Sequence, residues 1–128
     1  MTYLTLLIGV KIVVTLLNVI VPFLFFRTAT LDRLAGFGQA NTAFYRLYGM
    51  AMLALVVAYG GGLLQTLAGE YPAQIVAMGL VSNVGAALIM IWTGYARSQR
   101  ALAAFFGLVG LGFIWAAVQP SAVMSTVL

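Results

Sequence analysis

Four long apolar runs, separated by short polar breaks, dominate the chain. Each is near the ~20 residues that an α-helix needs to cross the hydrocarbon core of a bilayer. The first run has no basic n-region and no small-residue cleavage pattern, so we expect a retained helix rather than a signal peptide. The pattern predicts an all-α integral membrane four-helix bundle with short loops, one transmembrane domain over 1–128, with helices at about 3–26, 43–68, 73–94 and 101–119.

The polar breaks contain residues that are typical of helix ends. The first break, residues 27–42, mixes charges and glycines with Asn41 and Thr42, and either of these two can cap the second helix. Pro120 ends or kinks the fourth helix. The pattern makes no prediction for the conformation of residues 120–128.

The segment LDRLAGF, residues 31–37, allows two interpretations. In one it forms a short interfacial helix with Leu31, Leu34 and Phe37 facing lipid. In the other it is an irregular linker.

Composition strengthens the membrane assignment. Apolar residues make up 64% of the 128 positions and charged residues 6%, whereas soluble domains average about 45–50% apolar and 25% charged. A soluble domain could not cover itself with so little polar surface. The length leaves no room for a separate water-soluble module of ordinary size.

Charge is distributed unevenly between the loops. Positive residues concentrate in the first and third loops, whereas the second loop and both termini contain no Lys or Arg. The positive-inside rule then places both termini on the outer, periplasmic side and the arginine loops in the cytoplasm of a bacterial inner (plasma) membrane. The topology-setting residues are Arg27, Arg33, Arg97 and Arg100, with Arg46 at the adjoining helix end.

The residues that usually perform chemistry are scarce. The chain contains no Cys and no His, and its two acids, Asp32 and Glu70, are separated by the predicted topology. We therefore expect no enzyme, no metal site, no cofactor and no catalytic residue. The net charge of +4 is explained by orientation and by attraction to anionic lipid, so no nucleic-acid partner is expected.

Lys11 interrupts the apolar stretch LLIGVKIVVTLL, residues 6–17. Its position is roughly 12 Å below the outer boundary at 1.5 Å rise per residue. A charge at the centre of the bilayer costs about 2.5–3.5 kcal/mol on insertion scales, so it needs a partner or an escape route. The side chain could extend to the outer headgroups, or it could pair with Glu70.

Counting depth along each helix predicts a polar layer around Lys11. Tyr59, Ser82 and Asn83 fall at a similar depth, and Thr15 and Asn18 continue a polar stripe on the first helix. One hypothesis is a small cavity, open to the outer side, with the cation at its base. The alternative is that these side chains serve only as hydrogen-bonding glue between helices.

Glycines predict close helix contacts. Small residues let membrane helices approach each other, so we expect packing along Gly60, Gly61, Gly107 and Gly110. The sequence leaves open whether these faces close the bundle or pair two copies.

Two segments carry a resemblance. The stretches FYRLYGMAMLALVVAYGGGL (44–63) and GLVSNVGAALI (79–89) resemble segments of small, uncharacterised four-helix bacterial inner-membrane proteins. The resemblance implies a bacterial inner-membrane setting and no particular activity.

Two functions follow from these observations. The first is a non-enzymatic accessory or scaffold subunit that forms a homo-oligomer or joins a larger membrane-protein partner through its glycine-rich faces. The second is a small transporter or channel for an anionic or neutral solute, or for a lipid, that uses the layer around Lys11. Membrane lipid is an expected partner in both.

Overall fold

The computed structural model describes residues 1–36 and 41–127. Four helices in it are long and apolar enough to cross a membrane, which confirms the predicted all-α chain with four such helices. Their bounds differ from the predicted ones by one or two residues. In chain order, the first to the fourth span are Tyr3–Phe25, Thr42–Leu67, Ala73–Trp92 and Arg100–Val118.

The first span contains one wide turn. It is α-helical over Tyr3–Thr15, π-helical over Leu16–Ile20 and α-helical again over Val21–Phe25. The N–H of Val21 donates to the carbonyl of Leu16, five residues earlier. Pro22 explains the wide turn, because its ring crowds the carbonyl four residues before it and it has no N–H to donate.

Local signals end or begin the other helices. The Asn41 side chain accepts a 2.8 Å hydrogen bond from the N–H of Ala43, so Asn41 is the cap of the second span. Gly94, at φ +77°, ends the third span in the left-handed conformation that glycine adopts without strain. After Pro120 the chain forms one short helix, Pro120–Val123.

The first loop contains a helix, Thr28–Ala35, which we call the loop helix. Leu31 on it is 1% exposed and packs against the bundle, so the expectation that Leu31 faces lipid is wrong. The hydroxyl of Tyr45 donates to Oδ1 of Asp32 at 2.6 Å, and this bond fixes the loop helix to the second span. Phe37, the third residue of the predicted lipid face, lies outside the described residues.

The spans form two pairs. The first and second spans pack along their lengths, as do the third and fourth, and contacts between the pairs are sparser. The pairs meet in an apolar cluster in the half of the bundle that carries the termini. The members of this cluster, the core, are Leu4, Ile8, Tyr59, Val76, Val109, Phe113, Ala116 and Val123.

The two ends of the bundle differ in content. At one, the terminus end, the N–H of Val127 donates to the carbonyl of Met1 at 2.9 Å. At the other, the arginine end, the side chain of Gln99 donates to the carbonyl of Leu34 at 3.1 Å. The first and third loops, which carry the arginines, therefore lie together at the end opposite the termini.

The outward surfaces of the spans are strongly apolar. Leu47 is 71% exposed, Val81 77% and Trp92 88%. So much exposed apolar side-chain area is unfavourable in water and is what lipid covers in a membrane protein. The surface thus agrees with a chain that crosses a membrane several times.

Candidate functional site: a buried lysine beside an apolar cleft

Lys11 points into the bundle. It is 3% exposed, and its Nζ lies 5.0 Å from the ring centroid of Phe105 and 4.8 Å from that of Phe106. It makes no hydrogen bond or ion pair with any residue of 1–36 or 41–127. The side chain therefore does not extend to the terminus end, and the alternative pair with Glu70, which is exposed, does not form.

The two aromatic rings compensate only part of the burial of this charge. Both centroids lie within the ~6 Å range of cation–π attraction, which contributes about 0.5–2 kcal/mol per contact. Burying an ion carries an effective penalty of several kcal/mol. The cost of burying an ammonium at this site is therefore not fully offset without an anionic partner.

A cavity of about 60 Å³ adjoins the lysine. Its lining includes Lys11 and four hydroxyl-bearing side chains, those of Thr15, Tyr48, Tyr59 and Ser82. We call this space the lysine cavity. The Oγ1 of Thr15 is buried and has no hydrogen-bond partner in the described part of the chain, whereas buried polar atoms are normally paired.

Asn83 supports the cavity from behind. It is 0% exposed, and its Nδ2 donates to the carbonyl of Gly79 at 2.8 Å and to the hydroxyl of Tyr59 at 3.2 Å. The hydroxyls of Tyr59 and Ser82 are also 3.2 Å apart. This network joins the second and third spans and orients the Tyr59 hydroxyl at the wall of the cavity.

Asn18 does not belong to this group. It is exposed, and its Nδ2 donates to the carbonyl of Val14 at 3.1 Å. The π-helical turn is the physical reason: it has more residues per turn than an α-helix, so Asn18 rotates off the lysine cavity. Asn18 lines two neighbouring pockets instead. Of the six residues that the sequence predicts for this polar group, four line the lysine cavity and a fifth, Asn83, lies behind it.

A much larger cleft, of about 850 Å³, lies between the two helix pairs at the arginine end. Its lining is mainly apolar and includes Phe23, Leu31 and Phe44. We call it the apolar cleft. Its volume falls in the range of about 300–1,000 Å³ that is common for ligand pockets.

The apolar cleft and the lysine cavity adjoin each other. Tyr48, Ala86 and Phe106 line both, and a side cleft of about 320 Å³ between the first and fourth spans shares Phe106 and Thr15 with the lysine cavity. At the terminus end the core fills the bundle. The expectation of a cavity open to the outer, terminus-bearing side is therefore wrong: the adjoining space lies toward the arginine end.

The loop helix lies over the apolar cleft. Its last carbonyls accept hydrogen bonds from the third loop: Tyr95 donates to Ala35 and Gln99 to Leu34. Burial raises the pKa of Tyr95, so its hydroxyl keeps the proton that it donates. The two helix pairs are thus connected at the arginine end by side-chain bonds to a loop helix.

Four of the five predicted topology residues are exposed at the arginine end: Arg27, Arg33, Arg97 and Arg100. Arg46 differs from them. Its guanidinium donates to the carbonyls of Phe23 at 2.6 Å and Phe26 at 2.7 Å. These carbonyls at the end of the first span have no partner within their own helix, so Arg46 acts as its cap.

The four glycines predicted to mediate packing behave differently from one another. A Cβ on Gly60, Gly61 or Gly107 would meet no atom within 4 Å, whereas one on Gly110 would lie 3.1 Å from Val84. Within the chain, the closest approaches involve glycines that the sequence did not single out. They are Gly62, Gly79 and Gly112, at 2.7, 2.5 and 2.9 Å, whereas Gly49, at 3.1 Å, equals Gly110.

The side chains that the sequence analysis missed are mostly apolar. Phe105 and Phe106 hold the ammonium, and Tyr48 and Ala86 join the two cavities. One signal in the sequence could have identified the two phenylalanines. They are adjacent on the fourth span and lie deeper in the bilayer than Lys11 by about the length of a lysine side chain, so a cation–π contact was possible.

No protein-family model, curated protein or solved structure matches this chain.

Proposed function

We propose that this protein is a small, non-enzymatic membrane carrier that binds one amphipathic, lipid-like solute. The observation that supports this proposal is that the apolar cleft and the lysine cavity lie side by side and share Tyr48, Ala86 and Phe106 in their walls. A long apolar space that ends at a few convergent polar groups is the usual form of a binding site for such a molecule. The apolar part of the solute would occupy the cleft and its polar end the cavity.

A carrier agrees with this geometry better than an open channel does. Leu4, Ile8 and Phe113 are each at most 1% exposed and belong to the core that fills the terminus end. A solute bound beside Lys11 has space toward the arginine end and packed side chains on the other side. Passage across the membrane would thus require the two helix pairs to rearrange, as carriers do in alternating access.

Photolabelling tests the carrier. Octadecanoic acid and octadecanol, each bearing a diazirine on the chain, are incorporated into nanodiscs that contain the protein, and labelled peptides are mapped by mass spectrometry. We expect saturable labelling of peptides that line the apolar cleft. Ala86→Phe should abolish it, because the added ring fills the junction of the two cavities. Ala77→Phe, at an exposed position of the same span, should leave it unchanged.

Labelling that does not saturate with either probe, or that is insensitive to Ala86→Phe, would contradict the carrier. Native mass spectrometry of the same sample reports the number of copies. The scaffold function is the second candidate because Ala51, Ala54 and Gly61 form an exposed row of small residues on the second span. A lipid-free dimer that is lost in Gly61→Leu would support the scaffold instead.

We further propose that both termini face the periplasm of a bacterial inner membrane. The grouping of the arginine loops at one end supports this orientation, since arginine-rich loops are retained in the cytoplasm. Alkaline phosphatase fused to the C-terminus is expected to be active, and a fluorescent protein that folds only in the cytoplasm is expected to be dark. The opposite pair of results would reverse the orientation.

A further inference from the structure

We infer that the polar end of the carried molecule is a carboxylate, and that the ligand is therefore a single-chain fatty acid. This inference rests on the carrier proposed above and specifies its substrate class. It follows from the charge, the hydrogen-bonding groups and the size of the lysine cavity.

The charge of the cavity requires an anion that the described chain does not supply. The Nζ of Lys11 faces two aromatic rings and no carboxylate. Asp32 accepts from Tyr45 at the arginine end, and Glu70 is exposed in the loop between the second and third spans. A bound carboxylate would form the ion pair that makes burial of the ammonium favourable.

The hydroxyls around Lys11 match the acceptor oxygens of a carboxylate. Thr15 is 2% exposed and its Oγ1 has no partner in the described residues, so its proton can be donated to a ligand. The Tyr59 hydroxyl accepts from Asn83 at 3.2 Å and also lies 3.2 Å from the Ser82 hydroxyl. When Ser82 is the donor of that second bond, the Tyr59 proton is available to a ligand. A carboxylate offers two oxygens that accept several such bonds together with a charge-assisted one from Lys11.

Size separates a fatty acid from a phospholipid. The lysine cavity of about 60 Å³ has room for roughly four to six water molecules at about 10–15 Å³ of cavity volume each. A carboxylate fits this space, whereas a phosphate with its glycerol does not. The acyl chain would then lie in the apolar cleft of about 850 Å³ or in the side cleft of about 320 Å³.

A carboxylic acid can also reach this depth. In its protonated form it is neutral and crosses apolar surroundings at modest cost, whereas a phosphodiester remains charged. When Lys11 is a neutral amine before binding, the acid transfers its proton to Nζ, and the product is an ammonium–carboxylate pair with no other reactant required. The pair is the bound state.

Competition for the photolabelled site tests the headgroup. Oleic acid, oleyl alcohol and dioleoylphosphatidylglycerol compete separately with the diazirine probe in nanodiscs. The acid is expected to displace the probe at a concentration about tenfold or more below that of the alcohol, because one charge-assisted hydrogen bond accounts for at least such a factor. The phospholipid is expected to compete weakly.

Variants of the cavity make this test specific. Lys11→Met should remove the preference for the acid while alcohol binding persists. Thr15→Val keeps the shape of the side chain and removes its hydroxyl, so it should reduce the preference for the acid severalfold. It replaces Lys11→Met as the test if that variant fails to fold. Arg100→Met removes an exposed cation outside the cavity and should change nothing.

The outcomes separate this inference from the function on which it rests. Equal, saturable competition by acid and alcohol that is insensitive to Lys11→Met and Thr15→Val would overturn the carboxylate and leave the carrier intact. Preferential binding of the phospholipid would do the same. Absence of saturable labelling by either probe would overturn both.

Discussion

Replacing Gly79 with alanine is expected to lower the free energy of unfolding by about 1–3 kcal/mol, the usual effect of overpacking a filled core. The added Cβ would lie 2.5 Å from Cζ of Phe113. That ring is 0% exposed and packs against the ring of Tyr59 at a centroid distance of 6.0 Å, so it cannot move aside without displacing the core. Reversible unfolding in mixed detergent and SDS micelles measures the change.

The matched control lies on the same helix. Gly85→Ala adds the same methyl group where no atom lies within 4 Å, and alanine is the better helix former by up to ~1 kcal/mol. Its stability should thus equal or exceed that of the parent. Equal stability of Gly79→Ala and Gly85→Ala would mean that the third and fourth spans do not meet at Phe113. Where the two spans do meet there, adding Phe113→Leu to Gly79→Ala should restore part of the lost stability.

Replacing Arg46 with methionine is expected to lower the free energy of unfolding by about 2–3 kcal/mol. The variant loses two hydrogen bonds from a charged donor, each of which contributes about 1.5–3 kcal/mol when buried and less when partly exposed. It leaves the carbonyls of Phe23 and Phe26 without their partner. The SDS titration described for Gly79 measures this loss, and hydrogen exchange at the end of the first span localises it.

Arg97→Met separates this capping role from the role of charge in topology. It removes one positive charge from the same end of the bundle, but Arg97 is exposed and donates no side-chain bond to the described carbonyls. Its stability should stay within ~0.5 kcal/mol of the parent, as for most surface substitutions. If the two variants were equally destabilised, Arg46 would act through charge alone.

Hydropathy was sufficient to predict the spans. A bilayer requires about 20 apolar residues for each crossing, and this requirement located Tyr3–Phe25 and the other three spans almost to the residue. Polar residues inside the apolar runs carried further information. Lys11, Tyr59 and Ser82 were placed in one layer by counting depth, because a polar side chain at that depth avoids lipid and faces protein.

The rotation of the helices could not be predicted in the same way. Each span is apolar on all sides, so no periodic pattern shows which face turns inward. Gly62 and Gly79 contact neighbouring side chains, whereas Gly60 and Gly61, adjacent in the same triplet as Gly62, face open space. The wide turn before Pro22 likewise moved Asn18 off the lysine cavity.

The two helix pairs are held together by different contacts at the two ends of the bundle. This difference determines which end separates first. At one end they interlock through buried apolar side chains; at the other, the bonds from Tyr95 and Gln99 to the loop helix act as a latch. Releasing side-chain hydrogen bonds of this kind requires less free energy than separating a packed core. Thermal motion should therefore swing the pairs about a pivot near Phe113, widening the mouth of the bundle on the arginine side.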